Sequence, residues 1–275
     1  MADTTGTYRS LTELPATDTM PVLFVGHGNP MNAISDNPFS RSWAAVGERI
    51  PRPNAVLCIS AHWLTPGSTQ VTAMDMPKTI HDFGGFPRVL FEQQYPAPGA
   101  PDYAEKTIEL IRKAEVIEDY EWGLDHGTWS VLIKMFPDAD IPVYQLSIDY
   151  AKDPQYHYDL SREIKALRDR GVLVVGSGNL VHNLSAIRLE GEPLDWAIEF
   201  DEVMKGLIDR GNDQGVVDFQ ELGSLARTAH PTIDHFLPLV YALGLKDGRD
   251  EIEYFNDEFD MSSVSMRSFI ARPGS

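Results

Sequence analysis

Pro21-Val-Leu-Phe-Val-Gly-His27 is a continuous apolar run that ends in a histidine, and it has two counterparts in the 275-residue chain. They are Ala55-Val-Leu-Cys-Ile-Ser-Ala-His62 and Val172-Leu-Val-Val-Gly-Ser-Gly-Asn-Leu-Val-His182. Strands that are apolar throughout are typical of a parallel sheet covered on both faces by helices. The sequence therefore predicts an α/β fold with a central, mostly parallel sheet and helices on both faces.

Helical and strand patterns alternate along the rest of the chain. Residues 1–19 are mostly polar and are predicted to form an N-terminal lead-in. No repeat, low-complexity tract or linker interrupts the rest, which predicts a single catalytic domain over residues 20–275. Helix starts are predicted at a capping box of Asp102 and Glu105 and at Asp153, which precedes a proline. Further helices are predicted around 40–50, 128–136, 154–170, 196–207 and 236–243, and further strands at 70–73, 141–148, 252–255 and 263–270.

The composition restricts the partners of this chain. With Lys+Arg at 23 and Asp+Glu at 41, the net charge is −18, which disfavours nucleic acid and anionic membranes as partners. No apolar run is long enough to span a bilayer, and residues 1–19 lack the apolar segment of a signal peptide. The single cysteine, Cys58, lies in an apolar strand, as expected in a reducing compartment. A cytoplasmic protein is predicted.

The histidines at the strand ends indicate a functional site. Ligands of open α/β sheets bind beyond the carboxyl ends of the strands, where His27, His62 and His182 are all expected. Each histidine taken alone is explained as well by a turn or by a buried side chain bonded to backbone. Three imidazoles at one edge of a sheet suggest a metal centre at the carboxyl ends of the strands.

Several other motifs have both structural and functional interpretations. Asp125, next to His126, could orient an imidazole or cap the helix that follows. In His230-Pro-Thr-Ile-Asp-His235 the polar residues before the histidine could cap the next helix, and His157 is expected to face solvent. The chain has no HExxH, complete GxGxxG or GxSxG motif, so zincin, dinucleotide-binding and serine-hydrolase interpretations lack support.

The motifs are more specific as an ordered set. In chain order they are Gly26-His-Gly-Asn-Pro-Met-Asn32, Ser60-Ala-His-Trp63, Thr79-Ile-His-Asp-Phe-Gly-Gly-Phe-Pro87, Asp125-His-Gly127, Gly176-Ser-Gly-Asn-Leu-Val-His-Asn183 and Pro231-Thr-Ile-Asp-His235. With this set the chain resembles the LigB-type (class III) extradiol ring-cleavage dioxygenases, in the branch called 4,5-DOPA dioxygenase extradiol. The resemblance extends over nearly the whole chain after the N-terminal lead-in.

The resemblance implies a division of roles among the histidines. His27 and His62 match metal ligands of the family, and His235 matches a further ligand. His126 matches a group in acid–base chemistry, assigned here to stabilising or protonating an oxygen-derived intermediate. His182 matches the catalytic base that removes a catechol proton in ring-cleaving relatives, and in this branch it also matches a metal ligand.

The resemblance also implies the cofactor and the substrates. Fe(II) is implied for the cleavage of a catechol such as DOPA by O₂ to a muconic semialdehyde-type product, although Zn(II) suits an all-histidine site equally well. A zinc hydrolase and a non-catalytic protein that binds metal or a small molecule are the alternatives. Oligomeric state is left open. Candidate substrate-binding residues, which could equally be core or ordinary loop residues, are His81, Trp63, Phe83 and Trp129, with Phe86 as a further wall residue and Arg88 as a candidate partner for a substrate carboxylate.

Overall fold

The structure is a computed structural model that describes residue 11 and residues 13–274. The strands within these residues are β1 Val22–Gly26, β2 Ala55–Ser60, β3 Thr69–Thr72, β4 Val116–Asp119, β5 Val143–Gln145, β6 Val172–Gly178, β7 Asp250–Phe255, β8 Phe259–Asp260, β9 Val264–Ser265 and β10 Ser268–Pro273. The α-helices are α1 Pro38–Arg49, α2 Arg88–Phe91, α3 Pro101–Leu110, α4 His126–Met135, α5 Pro154–Glu163, α6 Asp195–Asp209, α7 Asp213–Val217, α8 Ser224–Ala229 and α9 Leu237–Leu245. Short 3₁₀ helices span Pro30–Ala33, Lys165–Arg170, Leu184–Ala186 and Phe219–Leu222.

The central sheet has the strand order β5-β2-β6-β1-β10-β7 in the described residues. Neighbouring strands among β5, β2, β6 and β1 run parallel, while β10 is antiparallel to both β1 and β7. All residues of the four parallel strands are buried, as continuous apolar runs predict. The predicted α/β fold is confirmed. In its sheet β6 lies between β1 and β2, and the strand direction reverses at β10.

Each strand of the sheet contributes to two hydrophobic cores, because successive side chains point to opposite faces. On β1, Val22 and Phe24 belong to a core that contains residues of α5, α6 and α9. Leu23 and Val25 belong to a second core, which contains residues of α1 and α4. The sheet is thereby covered on both faces, and its carboxyl edge is left for the loops that follow the strands.

The predicted helix starts had different outcomes. Asp153 accepts a hydrogen bond from the backbone N–H of Tyr156 and caps α5, as predicted. The predicted capping box of Asp102 and Glu105 is wrong, because Pro101 occupies the first position of α3 and moves the N-cap to Ala100. Proline has a φ suited to the first helical turn and needs no hydrogen-bond acceptor there.

The prediction that His157 faces solvent is also wrong. Its side chain is fully buried, and its Nδ1 lies 2.9 Å from the hydroxyl of Tyr241 on α9. The helix face that carries His157 packs against α9, a helix that is itself buried throughout. The predicted strand 141–148 is shorter than expected, because Leu146 and Ile148 form isolated bridges with other segments beyond β5.

Two features of the chain as a whole complete the description. Within the described residues, no helix is long and apolar enough to cross a membrane. The lead-in predicted for residues 1–19 falls largely outside the described residues, and the single domain over 20–275 stays a prediction.

Candidate metal centre

Three of the predicted ligands meet at the carboxyl edge of the sheet. His27 directly follows β1, His62 lies two residues beyond β2, and His235 lies two residues before α9. The loop with His235 is fixed to the end of β6, because the carbonyl of His235 accepts a hydrogen bond from the backbone N–H of Asn179. The fold therefore brings together residues more than 200 positions apart in the chain.

One ring nitrogen of each of these histidines faces the other two. The Nε2 atoms of His27 and His62 are 3.0 Å apart. One nitrogen from each of His27, His62 and His235 lies within 4.8 Å of the others, which is the spacing of donors around a shared ion. The three imidazoles form a candidate metal centre.

The second ring nitrogen of each ligand faces an oxygen atom. Nδ1 of His27 lies 3.0 Å from Oγ of Ser177, a hydroxyl that itself donates to a backbone carbonyl and is free to accept from the ring. Nδ1 of His235 lies 3.0 Å from a carboxylate oxygen of Asp234. Such partners place the proton on Nδ1 and leave Nε2 free to bind a metal.

The electrostatics of the centre favour neutral imidazoles. Burial lowers the pKa of both His27 and His62 well below its usual range, and the neighbouring imidazoles lower it further. Burial opposes ionisation of Asp234, but its hydrogen bond and charge interaction with His235, joined by smaller effects of Thr232 and His182, together outweigh burial and hold its pKa below the usual range. Neutral imidazole is the form that binds a metal, so the donor set fits a divalent transition-metal ion. All three donors are nitrogens, which suits Zn(II) as well as Fe(II).

Glycines allow the chain to pass this close to the centre. A Cβ added to Gly26 would lie 2.9 Å from the backbone of Met266, so a side chain does not fit there. Gly28 has a φ of +56°, in the left-handed region that glycine adopts most readily. The backbone on both sides of His27 therefore depends on these two residues.

His182 lies beside the three ligands. Its ring is stacked on that of His235, with centroids 3.5 Å apart and an interplanar angle of 4°. Among the described residues, two groups of side chains have ligand atoms that all lie within 4.8 Å of one another, His27–His62–His235 and His62–Asp82–His126, and His182 belongs to neither. Burial, with the neighbouring His235, lowers the pKa of His182 to about 2. The family resemblance leaves His182 between ligand and base, and the structure places it beside the donor group and not within it.

His126 is the first residue of α4 and is held by a carboxylate that the sequence did not single out. Its Nδ1 lies 3.0 Å from Oδ1 of Asp82, and the same oxygen accepts the backbone N–H of His126. The other oxygen of Asp82 lies 3.3 Å from Nδ1 of His62. Burial acts to raise the pKa of Asp82, but the hydrogen bonds and the charge interaction with His126 together outweigh burial and lower that pKa.

Of the two roles open to Asp125, the helix cap is confirmed, and its carboxylate makes no hydrogen bond to an imidazole of the described residues. Asp125 caps α4 by accepting the backbone N–H of Thr128. Its carboxylate also accepts hydrogen bonds from Ser60 and Gln145, at 2.6 and 2.7 Å. Its hydrogen bonds are directed away from the imidazoles.

The residues before His235 do not provide a side-chain cap for α9. Asp234 is bonded to the ring of His235 instead.

A cavity of about 280 Å³ opens beside the three ligands. Its polar groups include His126 and His182 as well as the candidate ligands, and its wall is largely apolar. The apolar lining residues are Pro30, Phe83, Phe86, Leu184, Ile187, Met261 and Val264. An apolar wall with a few convergent polar groups is typical of a small-molecule site.

Of the predicted substrate-binding residues, Phe83 lines this cavity, whereas His81, Trp63 and Trp129 are not among the described residues of its wall. Trp129 is fully buried and donates its indole N–H to the carbonyl of Ile80. Trp63 is buried, and its ring is stacked on that of Trp122 with the centroids 5.8 Å apart. Nε2 of His81 lies 2.9 Å from a backbone carbonyl. Arg88, whose side chain is 91% exposed, pairs with Glu92.

Sequence reasoning missed several residues of the centre. Asp82 and Asp234 each directly neighbour a histidine that had been singled out, and this adjacency was the available signal. Ser177 belongs to the motif Gly176-Ser-Gly, but nothing in the sequence indicates that its hydroxyl faces the ring of His27. The apolar residues Leu184, Ile187 and Met261 have no recognisable motif, because they reach the cavity from two loops far apart in the chain.

Comparisons with known proteins identify the family of this chain. A family model described as the catalytic LigB subunit of aromatic ring-opening dioxygenase matches residues 20–268. The chain is 47% identical to the 4,5-DOPA dioxygenase extradiol of Escherichia coli (strain K12) over 257 residues, covering 90% of this chain and 93% of that protein. It is 35% identical to the 4,5-DOPA dioxygenase extradiol of Beta vulgaris, covering 90% of this chain and 94% of the relative.

A solved structure shares the fold. The crystal structure of an uncharacterized protein from Escherichia coli K12 matches with a TM-score of 0.80 and 41% sequence identity, covering 91% of this chain and 99% of that one. The family model covers most of the chain and the identities extend over nearly its whole length, as the ordered motifs predicted. The chain belongs to the LigB family of extradiol, aromatic ring-opening dioxygenases and is thus an oxidoreductase.

Proposed function

We propose that the protein cleaves the ring of a catechol such as DOPA with O₂. One observation carries this proposal: three imidazoles share one point at the edge of an apolar cavity whose wall holds two further imidazoles, His126 and His182. A protein that only bound metal would have no use for two additional titratable rings next to a complete donor set. The relatives named 4,5-DOPA dioxygenase extradiol support DOPA as a substrate to test.

The reaction must balance one catechol against one O₂. The carbon–carbon bond beside one hydroxyl-bearing carbon breaks, as does the O–O bond. Both oxygen atoms stay in the muconic semialdehyde-type product, one in the new carboxylate and one in the new aldehyde. The protein has to align two substrates and move protons, and neither task needs a nucleophilic side chain.

The residues divide these tasks according to position. Fe(II), bound by His27, His62 and His235, would offer open positions that hold the catechol oxygens beside O₂. His182 lines the cavity next to these ligands and accepts a proton from a catechol hydroxyl. His126 is anchored through Nδ1, so its Nε2 is the atom that exchanges a proton with the reacting oxygens. The rings of Phe83 and Phe86 and the side chain of Ile187 provide an apolar wall for the aromatic ring.

Metal-loaded protein provides the direct test. Metal-free protein is loaded anaerobically with Fe(II) or with Zn(II), DOPA is added, and air is then admitted while dissolved oxygen and visible absorbance are recorded. We expect the Fe(II) protein to consume one O₂ per DOPA as a yellow product appears, and the Zn(II) protein to consume none. Absence of oxygen uptake by the Fe(II) protein would overturn the proposal, and hydrolysis of esters or amides by the Zn(II) protein would favour a zinc hydrolase instead.

The remaining predictions about cellular context stand on the sequence. We propose a cytoplasmic location, which the single, buried cysteine supports. Burial raises the pKa of Cys58 far above the usual range, so its thiol stays protonated and unreactive. The absence of nucleic-acid and membrane partners, inferred from the net charge, stays a prediction.

A further inference from the structure

Asp82 contacts two histidines that belong to different parts of the proposed mechanism. Its Oδ1 faces Nδ1 of His126 at 3.0 Å, and its Oδ2 faces Nδ1 of His62 at 3.3 Å. The residue as a whole is exposed through its backbone, but its side chain keeps only 16% of its accessible surface. The carboxylate is therefore directed inward, between a candidate ligand and a candidate proton-transfer group.

A carboxylate only accepts hydrogen bonds, and this determines where the protons of the two rings lie. With Asp82 as acceptor, both His62 and His126 carry a proton on Nδ1, so Nε2 of each ring is bare. For His62 this bare atom is the one that lies 3.0 Å from Nε2 of His27. For His126 it is the atom left to exchange protons with substrate. The two rings are in contact, with centroids 3.9 Å apart.

We propose that Asp82 is a positioning residue that fixes the Nδ1–H tautomer of His62 and of His126 together. One carboxylate thereby leaves Nε2 bare on both the candidate metal ligand His62 and the proton-transfer group His126. The catalytic consequence of this arrangement rests on the proposed function, whereas the tautomers themselves do not.

The backbone around Asp82 is held independently of the two histidines. On its N-terminal side the carbonyl of Ile80 accepts the indole N–H of Trp129 at 2.8 Å, and the backbone N–H of Ile80 donates to Leu124 at 2.7 Å. The next residue, Phe83, lines the cavity with its ring 5.4 Å from that of His126. One loop thus sets both the carboxylate and part of the cavity wall. Removing the carboxylate should leave the loop in place.

The tautomers can be measured directly in Zn(II)-loaded protein labelled with ¹⁵N-histidine, in which the ion would take the lone pairs that Nε2 of His62 and Nε2 of His27 direct at each other across 3.0 Å. Long-range ¹H–¹⁵N spectra distinguish Nδ1–H from Nε2–H imidazole, and the His62→Asn and His126→Asn variants assign the two signals. We expect both rings to be Nδ1–H in the unsubstituted protein. An Nε2–H form at either ring would overturn the proposal without any substitution of Asp82.

Asp82→Asn sharpens the test, because an amide has one accepting and one donating end. The accepting oxygen should stay with the backbone N–H of His126, which Oδ1 now accepts at 2.9 Å. The –NH₂ group then faces His62 and donates to its Nδ1, which moves the proton of His62 to Nε2. We expect only His62 to change tautomer, and zinc affinity, measured by competition with a fluorescent chelator, to fall about 10- to 100-fold.

A matched control removes the same charge elsewhere. Asp75 is exposed and lies seven residues earlier in the chain, so Asp75→Asn should keep the tautomers and the zinc affinity of the unsubstituted protein. Unchanged tautomers and zinc affinity in Asp82→Asn would also overturn the proposal. Both readouts are independent of turnover: correct tautomers in a protein without oxygen uptake would count against the proposed function and not against the role of Asp82.

Discussion

The rings of His182 and His235 are parallel, and their centroids are 3.5 Å apart. His182, whose role the sequence leaves open between base and metal ligand, therefore lies directly against a candidate ligand. His235 supplies a nitrogen to the group of three ligand atoms and is anchored by Asp234. His182 lies against its face and borders the cavity. These positions predict that replacing His182 lowers the rate, whereas replacing His235 removes the metal.

His182→Phe keeps a flat ring against His235 while removing both nitrogens. We expect the variant to bind Zn(II) within a few-fold of the unsubstituted affinity and to lose about 10²- to 10⁴-fold in kcat, the usual contribution of a general base. His235→Ala should instead lose the metal. Metal content after dialysis and steady-state oxygen uptake separate the two, and loss of metal from His182→Phe would identify His182 as a ligand.

A second prediction concerns His27, His62 and His126. His27→Ala and His62→Ala each remove a donor from the group of three, so both variants should lose bound metal. His126→Ala should retain it and lose about 10²- to 10⁴-fold in rate, because its Nδ1 is bonded to Asp82 and lies outside that donor group. Elemental analysis of purified, dialysed protein measures the metal. Full metal content in both His27→Ala and His62→Ala would contradict the assigned centre.

The predicted site residues that the structure brings together are mainly those whose position follows from chain direction. The apolar runs of β1 and β2 fix where His27 and His62 emerge, and parallel strands deliver both to the same edge. Runs of this kind can be recognised without knowledge of their neighbours, because each strand is buried on both faces. His235 was predicted from the family resemblance, since nothing local to its loop indicates that it reaches β6.

The errors share a different cause, which is a choice between partners that only the packed structure resolves. Asp125 and Asp82 both lie close to His126 in space, but Asp125 is engaged by Thr128, Ser60 and Gln145. His157 lies three residues before Leu160 and seven before Ile164, on the apolar face of its helix, where its polar side chain finds the hydroxyl of Tyr241 on α9. A single sequence shows which groups could bond, and it does not show which of several candidates lies within 3 Å.

A third prediction distinguishes the cavity wall from the structure behind it. Phe83→Ala removes an aromatic ring from the cavity, and we expect KM for DOPA to rise about 2- to 10-fold with little change in unfolding free energy. Trp129→Phe removes the hydrogen bond to Ile80 behind that loop, so it should cost about 1–3 kcal/mol of stability and change KM less than 2-fold. Steady-state oxygen uptake and urea unfolding of both variants measure these effects. A larger rise in KM for Trp129→Phe than for Phe83→Ala would return Trp129 to the substrate site.

A fourth prediction concerns the pH dependence of stability and His157, which lies in the contact between α5 and α9. Burial lowers the pKa of His157 to about 4, although Asp149 and Asp153 act to raise it. An unfolded histidine has a pKa near 6.5, so below that pH the unfolded chain takes up a proton that the folded protein excludes. The contribution of His157 is therefore intact above pH 6.5 and is lost as the pH falls towards 4, by roughly 3 kcal/mol in total.

The variant His157→Gln isolates this term. Its amide oxygen can still accept the hydroxyl of Tyr241, but the side chain does not titrate. Other buried histidines lower stability in acid as well, so the informative quantity is the difference between the two proteins. Unfolding free energies from urea titrations between pH 7 and pH 5 should fall more steeply for the unsubstituted protein. If the two curves stay parallel over this range, His157 does not exclude a proton in the folded state and its contact with Tyr241 must form with a charged ring.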